Sequence, residues 1–378
     1  MTLKRLRVDN VGSMLRPAAL REAFVKYADG GLSEEQLTHE QDEAIRAVIA
    51  HQERIGFPIV VDGEFRRTGY LASFADIEGA EDWLSRWTPR RLHREQPVTA
   101  GPARGADPVH SDDLRTPAHA KLRLKRNRPL EEYAFAARQT ATPAKITIIG
   151  PDRVSTLHHL GHPDDVYGDA EEFMADVVKV EREMIGQIVD AGCKYIHIDE
   201  PGFTAYADEA SLEVLRSRGD DPEVNRRRSI DANNELIAGF PDDVVFGVHL
   251  CRGNRESQWH REGTYDAIAE SVLGGLHYDR LMLEYDTDRA GGFEPLRFVR
   301  DDAVVVLGLL TTKTGDMESA DEIKRRIEEA SAFVPVERLA LSTQCGFASG
   351  ISGNLISEDD QWRKLELVLS VAQDVWGE

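Results

Sequence analysis

The chain has 378 residues, a formal net charge of −21 and 41% hydrophobic residues, enough to build a sizeable core. Its acidic surface repels polyanions, which disfavours nucleic acid and anionic membranes as partners. An anionic substrate would have to bind in a locally basic pocket. With no apolar run of the ~20 residues that span a bilayer, no signal-peptide pattern and only three cysteines, we expect a cytoplasmic protein without a disulfide framework.

Short apolar runs alternate along the chain with stretches that have helical spacing. The runs predict eight strands, at residues 7–11, 58–61, 145–149, 195–198, 244–248, 280–283, 303–307 and 339–341. Helices are predicted at residues 33–55, 170–191, 318–332 and 359–375, the first of them capped by Ser33. This alternation predicts an α/β fold with a parallel sheet, and eight units predict a closed (β/α)₈ TIM barrel that forms one domain, residues 1–378.

Residues 83–138 interrupt this alternation, because they show no clean period and are rich in arginine, proline and histidine. We interpret them as an insertion between the second and third strands. Two roles stay open: a surface excursion without chemistry, or a lid or substrate wall, since long loops on barrels are often functional.

Polar side chains follow the predicted strands at the point where each apolar run stops. In a barrel of this kind the carboxyl ends of the strands carry the chemistry. These motifs therefore predict one site at that rim: Asn10-Val11-Gly12-Ser13, Asp62-Gly63-Glu64-Phe65, His197-Ile198-Asp199-Glu200-Pro201, His249-Leu250-Cys251, Glu284-Tyr285-Asp286, Thr311-Thr312-Lys313 and Gln344-Cys345-Gly346.

Four of these rim residues suit a metal ion. In an extended chain His249 and Cys251 point to the same side, so both can reach one ion. Glu284 and Cys345 would complete a tetrahedral set of nitrogen, sulfur and oxygen ligands suited to zinc. A lone cysteine is usually a small buried hydrophobe, and we assign Cys193, at the opposite rim, to packing. The four residues together favour zinc.

A zinc ion held by four protein ligands resembles a structural site and becomes catalytic only if a substrate enters its coordination shell. A thiol is the natural entrant, because zinc converts a bound thiol to a thiolate near neutral pH. The ligand set therefore predicts transfer of an alkyl group to a sulfur atom.

Two carboxylates, Glu64 and Asp199, are expected on the same rim and could hold the ammonium group of an amino-acid substrate. Ser13 and the backbone amides after Gly12 could bind its carboxylate. A glycosidase pair of carboxylates would also fit this fold, but it leaves the histidine and cysteines unexplained. A plain structural ion pair is the other alternative.

The rim motifs resemble the catalytic barrel of the cobalamin-independent methionine synthase family, in order and over nearly the whole chain. The resemblance implies a TIM barrel, zinc bound by His249, Cys251, Glu284 and Cys345, and homocysteine contacts from Ser13, Glu64 and Asp199. It implies only the carboxyl-terminal barrel of the full-length enzymes. The motif Arg252-Gly253-Asn254 is similar to that of the short single-barrel paralogues.

Two positions depart from that family pattern. Full-length synthases have a histidine after the seventh strand, thought to protonate the leaving folate nitrogen, where this chain has Lys313. They also stack the pterin on a tryptophan after the third strand, near the position of Leu157. The thiol half of the site matches and the donor half does not. Lys313 could serve as a proton donor, or as a cation beside an anionic substrate.

We expect a methyl or alkyl donor and a small-molecule thiol as the binding partners, with homocysteine as the acceptor; the donor and the oligomeric state stay open. A first alternative is thiol alkylation of the epoxyalkane:coenzyme M transferase type, which needs a sulfonate site. A second alternative is a non-catalytic zinc-containing binding protein. The uroporphyrinogen-decarboxylase branch of the same superfamily is disfavoured, since decarboxylation needs no zinc. The sulfonate site could come from Arg16, Arg66, Arg67 and Arg252.

Overall fold

The computed structural model describes residues 2–81, 83, 99–103, 105, 107 and 109–377. Within them the strands are β1 (Ile77–Glu78), β2 (Gly101–Pro102), β3 (Arg123–Leu124), β4 (Ile146–Ile149), β5 (Tyr195–Asp199), β6 (Val245–Leu250), β7 (Gln258–Trp259), β8 (Arg280–Glu284), β9 (Val304–Leu310) and β10 (Leu339–Thr343). The α-helices are α1 (Ala18–Ala28), α2 (Glu34–Ile55), α3 (Arg128–Ala137), α4 (Pro151–Leu157), α5 (Ala170–Asp190), α6 (Glu209–Ser217), α7 (Pro222–Ile237), α8 (Ala320–Ser331) and α9 (Glu358–Trp376).

Six parallel strands form the central sheet in the order β10-β9-β8-β6-β5-β4. Every residue of these strands is buried, as expected for a parallel sheet covered on both faces. Two small pairs lie outside this sheet: β1 with β3, antiparallel, and β2 with β7, parallel. The predicted α/β class and parallel sheet are confirmed.

The last six predicted strands are confirmed, and most run further than predicted, so that Asp199, His249 and Glu284 belong to strands. Regular strands at residues 7–11 and 58–61 were wrongly predicted. Each of these segments makes a single parallel bridge, Val8 to Leu341 beside β10 and Val60 to Ala144 beside β4. The bridges extend the two ends of the sheet and make it barrel-like.

Gln52 of α2 takes the place of a strand neighbour at Val61, in the second of these segments. Its side-chain amide is fully buried and bonds the backbone of Val61 twice: Nε2 donates to the carbonyl at 2.8 Å and Oε1 accepts from the N–H at 3.0 Å. The side-chain amide of Asn10 lies 3.5 Å from the same Oε1. A side chain thus satisfies the backbone groups that a neighbouring strand would otherwise pair.

The four predicted helices are confirmed as α2, α5, α8 and α9. Ser33 caps α2 as predicted: its hydroxyl accepts from the Gln36 N–H, and the Gln36 side chain accepts from the Ser33 N–H. Among the described residues, no helix combines the length and the apolar character needed to cross a bilayer.

Part of the segment 83–138, including residues 84–98, lies outside the described residues. Where the sequence showed no period, ten residues near the end of the segment, Arg128–Ala137, form α3, which packs against β4, α2 and α5. Its buried face contains a carboxylate, Glu132, which breaks the apolar spacing that predicts a helix. Glu132 is paired with the buried Arg67, whose Nη2 lies 2.6 Å from Glu132 Oε2.

The role of Gln52 can be tested by Gln52→Leu, which keeps a similar volume and leaves two backbone groups of Val61 buried without partners. We expect the free energy of unfolding to fall by about 2–4 kcal/mol, measured by urea denaturation, because each unsatisfied group costs about 1–3 kcal/mol. Glu40→Leu, on the exposed face of α2, should change it by less than about 0.5 kcal/mol. Equal stability of Gln52→Leu and the wild type would contradict the bridging role.

Candidate active site

The structure brings three of the predicted metal ligands together at the carboxyl rim. One ligand atom each of His249, Cys251 and Cys345 lies within 4.8 Å of the others, and all three residues are buried. His249 is the penultimate residue of β6, and Cys251 directly follows this strand. One nitrogen and two sulfurs at this spacing form a donor set suited to zinc.

Sheet curvature produces this cluster. Three lateral steps separate β6 from β10, which in a flat sheet would amount to about 14 Å at ~4.8 Å per step. Cys345 nevertheless reaches His249, and the carbonyl of Gln344 lies 3.1 Å from His249 Nε2. Only a strongly curved, barrel-like sheet permits this approach.

Glu284 ends β8 beside the cluster, but it is not in the group whose ligand atoms lie within 4.8 Å of one another. Its Oε2 accepts from the N–H of Arg252 at 2.8 Å and its Oε1 from Arg289 Nη2 at 3.2 Å. Burial raises the pKa of Glu284, but the charges of Lys313 and Arg252 outweigh it and hold this pKa below its usual value. The carboxylate is therefore anionic, and its role as fourth ligand stays a prediction.

The two cysteines of the cluster share one proton. A hydrogen bond from Cys345 holds the pKa of Cys251 well below its usual value, and the same bond raises the pKa of Cys345. Burial lowers the pKa of His249, but Cys251 and Asp199 outweigh this effect and raise it to about 10. A metal ion that binds here must therefore displace protons from His249 and Cys345.

Asp199 orients the histidine of the cluster. Its Oδ1 lies 3.1 Å from His249 Nδ1, which directs the other ring nitrogen towards the metal position, as carboxylates do for metal-bound histidines. His197, Asp199 and His249 form a second group within 4.8 Å. Lys145 Nζ lies 3.4 Å from His197 Nδ1, and an ammonium there repels a second cation. The group with the two cysteines is therefore the better metal site.

Glu64 adopts the left-handed conformation, with φ 60°, a strained backbone that is common at functional sites. Its Oε1 accepts from the Thr147 hydroxyl at 2.8 Å. Its Oε2 is buried and has no hydrogen-bond partner among the described residues. Burial raises the pKa of Glu64 to about 7, so this group titrates near neutral pH.

Ser13 reaches the same place from the first strand segment. It packs against Gly346, where a Cβ atom would meet the Ser13 hydroxyl oxygen at 2.0 Å. Glycine at position 346 is therefore required for the close approach of the two backbones.

One open cavity at the rim joins these groups. Its walls include six of the predicted site residues, namely Ser13, Glu64, Asp199, His249, Cys251 and Cys345. The sequence analysis did not identify three other wall residues, Asp107, Arg153 and Arg261. Asp107 Oδ2 lies 2.9 Å from Arg261 Nη2, and Asp107 Oδ1 lies 3.4 Å from Arg153 Nη1. Arg153 follows the end of β4, so the expectation that polar residues after strand ends form the site could have identified it. Asp107 lies in residues 83–138, where the sequence shows no clean period.

Lys313 and Leu157 are not among the described residues that line the cavity. Lys313 is buried, and its Nζ has no hydrogen-bond partner among the described residues. Its charge helps to lower the pKa of Glu284, and it offsets part of the increase that the Cys251 hydrogen bond and burial cause in the pKa of Cys345. Leu157 belongs to the hydrophobic core.

The four arginines considered for a sulfonate are also absent from the described cavity wall. Each donates its hydrogen bonds elsewhere: Arg16 to the backbone carbonyls of Glu64 and Arg67, Arg66 to Asp42, Arg67 to Glu132, and Arg252 to the carbonyl of Gly263.

A parallel, barrel-like sheet with a histidine, two cysteines and two carboxylates around one rim cavity defines an α/β enzyme with a candidate metal centre. The family profile described as "Cobalamin-independent synthase, Catalytic domain" matches residues 7–100 and 108–354. The chain belongs to this family, whose members include methionine synthases and whose chemistry is methyl transfer. The resemblance inferred from the rim motifs is thereby confirmed.

Individual relatives agree with this assignment. "Uncharacterized protein YxjH" of Bacillus subtilis (strain 168) is 38% identical, over 98% of this chain and 94% of its own length. A methionine synthase of Sulfurisphaera tokodaii is 24% identical, over 89% of this chain and 84% of its own length. The crystal structure described as "Putative Vitamin-B12 Independent Methionine Synthase from Listeria monocytogenes" has 28% identity and a TM-score of 0.74, over 99% of this chain and 98% of its own length. A B12-independent methionine synthase from Shewanella sp. W3-18-1 shares the fold, with a TM-score of 0.70, 19% identity and coverage of 98% and 97%.

The shared proton of the two cysteines can be tested by alkylation of metal-free protein with iodoacetamide, followed by peptide mass spectrometry. At neutral pH Cys251 should react first, because its lowered pKa keeps it a thiolate and it lines the cavity. As the pH is lowered below about 8.5, the pKa of an ordinary cysteine, the alkylation rate of Cys251 should stay constant while that of an ordinary cysteine falls. The rate of Cys251 should fall only at a lower pH. Cys193 is the control, since it is fully buried and burial raises its pKa to about 12. Faster modification of Cys193 would contradict this assignment.

Proposed function

We propose that the chain is a zinc-dependent transferase that moves a methyl or alkyl group onto a small-molecule thiol, converting homocysteine to methionine. One observation carries the proposal: the ligand atoms of His249, Cys251 and Cys345 lie within 4.8 Å of one another in the wall of a cavity that Glu64 and Asp199 also line. Membership of a methyltransferase family supports the reaction class.

The donor set fits zinc. Two sulfurs and a nitrogen are in place, and Glu284, already an anionic carboxylate, is the proposed fourth ligand once it exchanges a present hydrogen bond for the metal. Bound zinc would supply the charge that turns the acceptor thiol into a nucleophilic thiolate near neutral pH. Lys313 is proposed to act as the cation that balances the anionic charge of Glu284 and the cysteines. Its burial and its distance from the cavity wall favour this role over direct proton donation.

The amino-acid end of the acceptor is assigned to the part of the cavity wall that contains Glu64, Asp199 and Ser13. The free Oε2 of Glu64, together with Asp199, would accept hydrogen bonds from its ammonium group. The Ser13 hydroxyl and nearby backbone N–H groups would bind its carboxylate. Burial of these groups excludes water and strengthens each charged contact.

Alkylation of a sulfonate-bearing thiol such as coenzyme M is the second candidate. The arginines first considered for the sulfonate are engaged elsewhere, which weakens it. This candidate is retained because Arg153 and Arg261, two cations that suit a sulfonate, lie in the cavity wall. A purely structural zinc is less favoured, because a structural site needs no adjoining cavity, whereas His249, Cys251 and Cys345 line one.

The metal assignment is tested by Cys345→Ser, with Cys193→Ser as the matched control remote from the cavity. Wild type and Cys193→Ser should each bind about one zinc ion per chain, measured by metal analysis, and turn over homocysteine with a competent donor. Cys345→Ser should lose both metal and turnover. Full turnover by metal-free Cys345→Ser would overturn the proposal.

The acceptor is tested by zinc-edge X-ray absorption and by competition between homocysteine and coenzyme M, with a panel of methyl and alkyl donors. Homocysteine should add a sulfur scatterer to the zinc shell and win the competition. A zinc shell that changes with coenzyme M and not with homocysteine would replace the first candidate with the second.

Glu64→Gln tests the ammonium contact. The KM for homocysteine should rise about 10–100-fold, because a hydrogen bond to a charged group contributes about 1.5–3 kcal/mol and 1.4 kcal/mol corresponds to a factor of ten. The wild-type KM should also rise as the pH falls below about 7, since protonation of Glu64 removes its charge, and the variant should lose this pH dependence. An analogue of homocysteine without the amino group is the control. Equal effects of the substitution on both acceptors would refute the contact.

A further inference from the structure

A chain of buried polar groups runs from the first strand segment to the metal centre. It consists of Asp9, Lys145, His197, Asp199 and His249, which are all buried, with at most 6% of any residue exposed. Lys145 and His197 are not among the described residues that line the cavity. The proposed reaction does not use them, and a buried charge such as that of Lys145 is stable only where partners surround it.

Lys145 Nζ faces three acceptors: Asp9 Oδ1 at 2.7 Å, the carbonyl of Asn10, and His197 Nδ1 at 3.4 Å. An ammonium group has three N–H donors and no acceptor, so three acceptors match it. His197 must therefore present the lone pair of Nδ1 to Lys145. The proton of the neutral imidazole then lies on Nε2.

The same matching of donors to acceptors applies to the next two contacts, between His197 and Asp199 and between Asp199 and His249. His197 Nε2 lies 3.3 Å from Asp199 Oδ1, a charge contact that falls outside hydrogen-bond geometry, and an ionised carboxylate favours an N–H over a lone pair at this distance. The opposite tautomer of His197 would set an N–H against the ammonium and a lone pair against the carboxylate. Asp199 Oδ1 also lies 3.1 Å from His249 Nδ1, which places a proton on Nδ1. His249 Nε2 faces the Gln344 carbonyl at 3.1 Å, and a metal ion would bind Nε2 by displacing the proton that this carbonyl accepts.

We propose that Lys145 is a positioning residue of the metal centre: it fixes the tautomer of His197, which holds Asp199 and thereby presents His249 Nε2 to the ion. The proposal rests on the zinc site of the proposed function. Partners of this kind, one step removed from a metal ligand, typically change metal affinity 10–100-fold.

The alternative role for Lys145 is to neutralise Asp9, and Arg280 separates the two roles. Arg280 Nε lies 3.1 Å from Asp9 Oδ2, and its Nη1 donates to the carbonyls of Lys4 and Leu6. Arg280 is as deeply buried as Lys145. It shares the carboxylate and has no contact with His197 among these bonds.

Lys145→Met and Arg280→Met each remove one buried cation from Asp9, so they are matched variants. The Kd for Zn²⁺ is measured by competition with a chromophoric chelator, and stability by urea unfolding. Lys145→Met should raise the Kd about 10–100-fold, and Arg280→Met should leave it near the wild-type value. In a His197→Leu background, Lys145→Met should add nothing further. Equal Kd changes in the two single variants would overturn the proposal.

A measurement on the wild type keeps the proposal testable if a variant fails to fold. Long-range ¹H–¹⁵N NMR of histidine-labelled, zinc-loaded protein should show His197 with an unprotonated Nδ1 and a protonated Nε2. A proton on His197 Nδ1 would overturn the proposal. Failure of the wild type to bind zinc would remove the proposed function and this inference together, whereas tight zinc binding that is indifferent to Lys145 would remove this inference alone.

Discussion

Curvature of the parallel sheet is the constraint on which the site depends. Adjacent strands are about 4.8 Å apart, so ligands contributed by β6 and β10 can meet only if the intervening strands bend around a common interior. The sheet bends in this way, and His249 and Cys345 come within ligand distance. Glycine at position 346 allows the first strand segment to pack against the end of β10. The cavity is the space that this bending encloses.

Charge pairing holds the interior of that barrel-like sheet. Asp9 binds both Lys145 and Arg280, and Arg67 binds Glu132. Removing one member of such a pair leaves an uncompensated buried charge, so these contacts specify one arrangement of the segments more than they add stability. Both networks end at the site: the first reaches His249, and the second lies 3.7 Å from Glu64.

The two halves of the cavity differ in how far they follow the family. One half contains His249, Cys251, Cys345, Glu64 and Asp199, which the family resemblance predicts as site residues. The other half contains Asp107, Arg153 and Arg261, and Asp107 lies in residues 101–107, which separate the two parts of the family match. This part of the cavity wall is therefore built partly from residues between the two matched stretches.

Local patterns in the sequence determined six strands, four helices and the residues gathered at the rim, because side-chain period and strand-end chemistry are encoded within a few neighbours. Tertiary structure decided the rest, because it depends on pairings between distant residues. Gln52 replaces a strand ladder at Val61, and Glu132 is buried in a helix only because Arg67 faces it. The two carboxylate oxygens of Glu284 accept hydrogen bonds from the backbone N–H of Arg252 and the guanidinium of Arg289. No local pattern encodes such contacts, since each partner is an ordinary polar residue until the fold buries it.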